Sequence, residues 1–248
     1  MKRTAIIFFM AISISLSSCD ILQQILDDAS GPSLTNAEII EGLKEALIEG
    51  AVSSSRTLNA TDGYFKDNAV KILLPPEANV IVENLSKVPG LGQSAIDDLV
   101  LKINRAAEDA ASEAKPIFID AIKKMTIQDG MTILKGSNTE ATNYLKSKTY
   151  SKLVSTFSPK INNSLNKKLV GNISAGSAWK DVTTLYNKVA PFIGKPKVTT
   201  DLGAYVTKKA LDGLFLKVGE EEKKIRANPY AYVSDIIKKV FGYAKNNL

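Results

Sequence analysis

Apolar residues recur at helical spacing through most of the chain. The clearest pattern is Gln93–Glu113, where isoleucine, leucine and alanine residues form one stripe and charged residues lie on the opposite face. A second long pattern starts at Asp201, whose carboxyl group can cap a helix that runs to about Arg226. Neither a convincing strand-like alternation nor a repeat of solenoid length is present. The sequence therefore predicts an all-α fold, a multi-helix bundle of about 8–9 helices.

Capping and breaking residues predict the other helices. Thr35 with Glu38 has the spacing of a capping box, and Thr126 with Asp129 can cap a short helix that ends at Gly136. Residues 57–78 differ, because Asp-Gly, Asn and paired prolines there predict a long loop with an extended piece. Further helices are predicted over Glu77–Val88, Lys115–Met125, Ser137–Tyr144, Tyr150–Val170 (interrupted at Ser158-Pro159), Trp179–Val189, and after Asn228-Pro229 as far as Gly242.

The first residues have the pattern of a targeting segment. Lys2 and Arg3 precede the apolar run AIIFFMAISISL (Ala5–Leu16), which is shorter than the roughly 20 residues that span a bilayer. The motif LSSC that follows resembles the lipobox of bacterial lipoproteins. That resemblance implies cleavage before Cys19, a diacylglycerol on its sulfur, and a protein lipid-anchored to a bacterial membrane, facing the periplasm or the cell exterior. The alternative is a secreted protein with an incidental cysteine.

The choice of membrane stays open. Asp20 resembles an inner-membrane retention signal of proteobacterial lipoproteins, but other bacterial groups do not follow that rule. The predicted organisation is a signal peptide at residues 1–18, a lipid-anchored tether at 19–34, a single helical domain at 35–242 and a C-terminal tail at 243–248.

Composition excludes several kinds of chemistry. The chain has one cysteine and no histidine, so with Cys19 lipidated the mature protein would lack disulfides, Cys/His zinc sites, thiol nucleophiles and Ser-His-Asp triads. The segment PGLGQS (Pro89–Ser94) lacks the lysine and the preceding strand of a phosphate loop, and no spacing matches an EF-hand. We therefore expect no cofactor and no metal site.

Charge is distributed unevenly along the chain. Residues 20–140 carry 11 Lys/Arg against 19 Asp/Glu, whereas residues 141–248 carry 19 against 7. The basic half could face anionic lipid headgroups or an anionic envelope polymer, or it could lie against the acidic half as an ordinary solvated surface. Nucleic acid is not an expected partner, because the protein would be exported and has only four arginines.

The chain carries five distinctive blocks between about Ser33 and Gly242: LTNAEIIEGLKEAL, NAVKILLPPE, INRAAEDAASEAKPIFIDAIKKMTIQDGMTILKGSNTEATNYL, AYVTKKALDGLFLKVGEEEKKIRANP and KKVFG. Together they resemble the DUF4197 family of bacterial helical domains. The resemblance implies an all-α fold and an exported setting, and it brings no activity with it. Gly130 departs from the alanine expected in TIQDGMTIL, which weakens that helix slightly.

Polar residues within these blocks are the candidate site residues. We predict that two facing helices bring six of them into one polar cleft suited to a small polar or zwitterionic ligand. Two further residues would border this cleft. The alternative is that each residue takes part in an ordinary exposed helix pair. The six are Asn104, Arg105, Glu108, Tyr205, Lys209 and Asp212, and the two bordering residues are Asp129 and Thr142.

These observations favour a lipid-anchored cell-envelope binding or interaction module without catalytic activity. Its partners would be the membrane, through the lipid on Cys19, and a small ligand or an envelope protein. An alternative is a carrier or receptor for a small amphiphilic or lipid-like ligand held between helices. A third is a hydrolase that uses Glu108 or Asp212 with Lys or Tyr, which would require two such groups to converge in a pocket with perturbed pKa values.

Overall fold

A computed structural model describes residues 35–85, 93–170, 173–231 and 234–247. Cys19, the predicted signal peptide and the whole predicted tether lie outside these residues. The predicted all-α class is confirmed. Within the described residues there are nine α-helices: α1 (Asn36–Asn59), α2 (Asn79–Leu85), α3 (Gln93–Ala111), α4 (Ala114–Lys123), α5 (Ile127–Lys135), α6 (Glu140–Leu165), α7 (Ala175–Val189), α8 (Leu202–Ala227) and α9 (Asp235–Asn247).

Shorter elements join these helices. Three 3₁₀ helices lie at Pro76–Ala78, Ala190–Ile193 and Pro229–Ala231. A small antiparallel hairpin, β1 (Lys168–Val170) and β2 (Ile173–Ser174), stands where the sequence predicted the end of a helix. This hairpin is an addition to the predicted fold, and the Gly-Asn dipeptide between its strands was the available signal.

Caps account for several helix starts. Thr126 and Asp129 form the predicted capping box at α5, with reciprocal side-chain and backbone bonds. Asp201 caps α8 as predicted, its carboxylate accepting from the Ala204 amide at 2.8 Å. The amides of the first helical turn have no intrahelical partner, so these side-chain acceptors stabilise each start by about 1 kcal/mol.

Several predicted helix boundaries are wrong. Helix α6 is continuous through Tyr144, where the sequence predicted a helix end, and through Pro159, where it predicted an interruption. Pro159 lies on an exposed face, so the carbonyl that loses its hydrogen bond can be solvated. The opposite face, with Leu153 and Phe157, is fully buried and keeps the helix intact. Helix α9 likewise continues beyond Gly242 to Asn247.

The core lies around α8, which is buried along most of its length. Helices α6 and α8 have the most extensive contact, and α1 and α3 pack against this pair. Phe118 of α4 meets Phe215 of α8 edge to face, with ring centroids 5.8 Å apart. Residues Asn36–Leu248 group as one compact unit, and every buried core residue belongs to it. The helices of the described residues include none that is long and apolar enough to cross a bilayer.

Gly130 has a packing role that the sequence did not indicate. It is buried at the contact between α5 and α1, and a β-carbon there would run into the end of the Ile40 side chain. The helix-weakening residue therefore lets the α5 backbone approach α1 closely.

Candidate functional site

A surface groove of about 700 Å³ lies between helices α3 and α8 and the irregular segment that follows α1. Its volume falls within the range of small-molecule sites, about 300–1,000 Å³. The lining is mainly apolar, with a polar edge provided by α8. Apolar residues of the lining include Val70, Ile72, Leu73, Leu74, Val82, Ile96, Val100 and Leu216, and polar residues at the edge include Lys71, Tyr205, Lys209 and Asp212.

Asn104 of α3 holds the groove wall in place. Its Oδ1 accepts from the Ile72 amide at 2.8 Å, and its Nδ2 donates to the Ile72 carbonyl at 2.8 Å and to the Val100 carbonyl at 2.8 Å. One fully buried amide side chain thus pairs both backbone groups of Ile72, as a neighbouring strand would. The irregular segment beside it, residues 69–74, forms one wall of the groove.

Tyr205 fastens the same wall from α8. Its hydroxyl donates to the Leu73 carbonyl at 3.0 Å, and the ammonium nitrogen of Lys209 lies 6.0 Å from the centre of its ring. Burial, followed by the charge of Glu77, raises the pKa of Tyr205 above its ordinary value, so the phenol stays a proton donor at neutral pH. Asp212 is exposed at this edge of the groove.

Side chains of the segment pack closely against the α8 backbone at Gly213. A β-carbon at Gly213 would lie 3.0 Å from the Tyr64 ring and 3.1 Å from Val70, tighter than ordinary packing. Tyr64 is fully buried, and its hydroxyl donates to the Ala210 carbonyl at 2.8 Å. Glycine in α8 therefore lets the segment lie directly against this helix.

Arg105 and Glu108 stabilise the turn at residues 62–65, which precedes the groove wall. The Arg105 guanidinium donates to Glu108 Oε2 and Asp62 Oδ1, both at 2.6 Å, while Glu108 Oε1 accepts from the amides of Tyr64 at 3.1 Å and Phe65 at 3.2 Å. Asp62 has a φ of 70°, the left-handed region, and these bonds hold it there. Hydrogen bonds from Lys66 and then Arg105 lower the pKa of Asp62.

The structure brings three of the six predicted cleft residues to the groove. Tyr205, Lys209 and Asp212 converge on the groove, whereas Asn104, Arg105 and Glu108 support its wall from behind and are not among the described lining residues. The reason is that the backbone of residues 60–74 lies against the Asn104–Glu108 part of α3 and uses its polar groups to pair backbone amides and a carbonyl.

Asp129 and Thr142 do not border the groove. Asp129 is occupied by the capping box of α5. Thr142 is buried at the start of α6, where its amide and hydroxyl both donate to Glu222 Oε2 at 2.8 Å. Neither residue is among the described residues that line the groove.

Glu222 and Arg226 of α8 lie four residues apart in the sequence, a spacing typical of an ion pair on one helix. In the structure they also contact the ends of two other helices. Glu222 accepts from the Ala141 and Thr142 amides at the positive end of α6, and Arg226 donates to the Ile133 carbonyl at 2.8 Å at the negative end of α5. Each charge thus faces the helix end of opposite sign, which is a stabilising arrangement. The four-residue spacing was a signal for the pair, but nothing local pointed to its partners.

The groove and its supports do not reveal a metal centre. Within the described residues, no three His, Cys, Asp or Glu side chains come together as a group that could hold an ion. What the groove offers chemically is an apolar surface beside one phenol, two ammonium groups and one carboxylate. Such a mixture suits an amphiphilic molecule with a charged or zwitterionic end.

Comparisons with known proteins give one family. Neither the curated proteins nor the solved structures that were compared contain a match. Residues 33–242 match the family described as "Protein of unknown function (DUF4197)". This match spans all nine helices apart from the last residues of α9. The chain therefore belongs to the DUF4197 family.

Proposed function

We propose that this protein is a lipid-anchored binding module of the bacterial cell envelope and that its ligand occupies the groove between α3 and α8. The observation that carries the proposal is the groove itself: about 700 Å³ in volume, apolar on its walls and polar at one edge. The pattern of the first 20 residues, with its lipobox-like LSSC motif, supports the anchor.

The contacts of the carboxylates favour binding over hydrolysis. Glu108 uses both oxygens in structural bonds, to two backbone amides and to Arg105, so neither is directed at the groove. Asp212 does line the groove, but it is the one carboxylate among the described lining residues. A hydrolase of the kind considered would need Asp212 to act with Tyr205 or Lys209, and the Tyr205 hydroxyl is already bonded to the Leu73 carbonyl.

The composition of the groove also favours a second, narrower function, that of a carrier or receptor for an amphiphile. Apolar walls can take an alkyl or aromatic body, and Lys71 and Lys209 at the edge can pair an anionic end. Leu73 and Leu216 remain 59% and 44% exposed, so a ligand that covers them would gain the hydrophobic stabilisation that the free protein lacks.

Binding can be tested with dansyl-labelled undecanoic acid, a fluorescent amphiphile, and a protein comprising residues 35–248, which contains the whole compact unit. We expect the dansyl fluorescence to rise on binding. Leu216→Asp should weaken binding at least about tenfold, because it places a carboxylate on an apolar wall. The matched control is Leu185→Asp, an exposed leucine on α7 outside the groove. Equal affinity of Leu216→Asp and wild type, or a loss confined to Leu185→Asp, would contradict the groove as the binding site.

The lipid anchor requires a separate test. The full chain expressed in a lipoprotein-processing bacterium is expected to yield a mature protein that begins at Cys19 and carries the mass of a diacylglyceryl group. Cys19→Ser should remove both the added mass and the membrane fraction of the protein. A mature chain that begins at another residue without added mass would refute the anchor and leave the groove proposal unaffected.

A further inference from the structure

A cluster of exposed apolar side chains lies where α7 ends. Leu185 and Val189 are 64% and 52% exposed, and Phe192 and Ile193 of the following 3₁₀ helix are 87% and 54% exposed. Val189 lies four residues after Leu185, and Phe192 and Ile193 lie three and four residues after Val189, which places the group on neighbouring positions. We name these four residues the apolar tip. Single exposed apolar residues are ordinary, but a contiguous group of this kind marks an interaction surface.

Hydrogen bonds between α7 and the segment after it hold the apolar tip in place. Asn187 donates to the Val198 carbonyl and accepts from the Val198 amide, both at 2.8 Å, and the Trp179 indole donates to the Thr199 carbonyl at 2.9 Å. These bonds tie the segment after the tip back onto α7. Gly194, with a φ of 65°, makes the turn between them. The exposure of the tip is thus a feature of the folded structure.

Lysines flank the tip along the chain. Lys188, Lys195 and Lys197 are all exposed, and residues 182–200 contain no aspartate or glutamate. The amide of Lys195 bonds the Ala190 carbonyl at 2.9 Å, which keeps this lysine beside the 3₁₀ helix. An aromatic side chain flanked by lysines matches a bilayer interface, where the ring enters the acyl boundary and the ammonium groups meet anionic headgroups.

We infer that the apolar tip, together with Lys188, Lys195 and Lys197, is a docking surface for a bilayer that contains anionic lipids. The charge of the lysines favours a bilayer over a second copy of the chain as the partner of the tip. A symmetric dimer through the tip would oppose its own lysines, whereas anionic lipid neutralises them. The inference rests on the proposed function only for the location of the protein at a membrane. A lipid anchor would hold the domain at the bilayer surface, so a weak contact is enough to dock the tip.

The test is co-flotation of residues 35–248 with vesicles of phosphatidylcholine mixed with phosphatidylglycerol, and with vesicles of phosphatidylcholine alone. We expect binding to the anionic vesicles that weakens in high salt. Phe192→Ser should weaken it by at least about tenfold, since it removes the largest inserted side chain. Replacing the three lysines with glutamine should weaken binding by about a hundredfold, at roughly fivefold for each charge.

The control is Ile127→Ser, which alters an exposed isoleucine of α5 outside both the tip and the groove and should leave vesicle binding unchanged. Phe192 is almost fully exposed, so its variant should fold, and circular dichroism with the dansyl acid titration would verify this. The inference is overturned if the wild type does not float with anionic vesicles, or if Phe192→Ser floats as well as wild type. A dimer in sedimentation that Phe192→Ser dissociates would instead assign the tip to a second copy. Loss of dansyl acid binding with vesicle binding intact would affect the groove proposal alone.

Discussion

Replacing Asn104 with alanine should release the groove wall. The substitution removes three hydrogen bonds and leaves the amide and carbonyl of Ile72 unpaired in a site where Ile72 is only 2% exposed. At about 1 kcal/mol for each bond, the loss is about 3 kcal/mol. Alanine has a higher helix propensity than asparagine, which offsets about 0.5 kcal/mol of this loss. We therefore expect the free energy of unfolding to fall by about 2.5 kcal/mol.

Two measurements would check this value. Urea unfolding of residues 35–248 gives the total change in the free energy of unfolding, and hydrogen exchange reports the Ile72 amide itself. The exchange of this amide should become about 70-fold faster, the factor that corresponds to about 2.5 kcal/mol. Affinity for the dansyl acid should also fall, because the wall of the groove becomes mobile.

The matched control is Asn143→Ala, which replaces an exposed asparagine of α6 and should change stability by less than about 0.5 kcal/mol. If Asn104→Ala were no more destabilising than this control, with the Ile72 amide still protected, the proposed role of Asn104 would be refuted. A large loss of stability without faster exchange at Ile72 would also refute it, because the effect would then be general packing.

Two further predictions concern charges. Glu222→Gln keeps the shape of the side chain but removes the charge that faces α6 and Arg226, so urea unfolding should show a loss of about 2 kcal/mol; a change below about 0.5 kcal/mol would contradict the cap. The hydrogen bond from Lys217 holds the pKa of Asp67 below its usual value, so this pair stabilises the fold above about pH 4 and ceases to do so as the pH falls through the folded-state pKa. Asp67→Asn should lower stability by about 0.5–1 kcal/mol at neutral pH and remove that part of the acid dependence, and an unchanged pH profile would argue against it.

Local features could be predicted because they depend on neighbours in the sequence. The capping box at Thr126 and Asp129 and the cap at Asp201 are confirmed, as are the α8 pattern and the irregular segment after α1. Helix ends that depend on packing were predicted less well. Pro159 does not interrupt α6, because burial of the opposite face outweighs one lost hydrogen bond.

The candidate residues show the same limit. The sequence singled out Asn104, Glu108 and Tyr205 as candidate site residues, but their hydrogen-bond partners lie 32 to 132 residues away. A polar residue on a helix has the same local pattern whether it meets a ligand or the backbone of another segment.

What the sequence determined by itself is the helical class, most helix starts, the uneven charge and the absence of histidine. The tertiary structure decided which polar groups are already paired. It turned Asn104 and Glu108 into supports of a groove wall, joined Glu222 to the start of α6, and left Phe192 exposed beside lysines. The physical reason is that helix formation follows from side chains three and four residues apart, whereas the desolvation that makes a buried polar group find a partner exists only once distant segments have packed together.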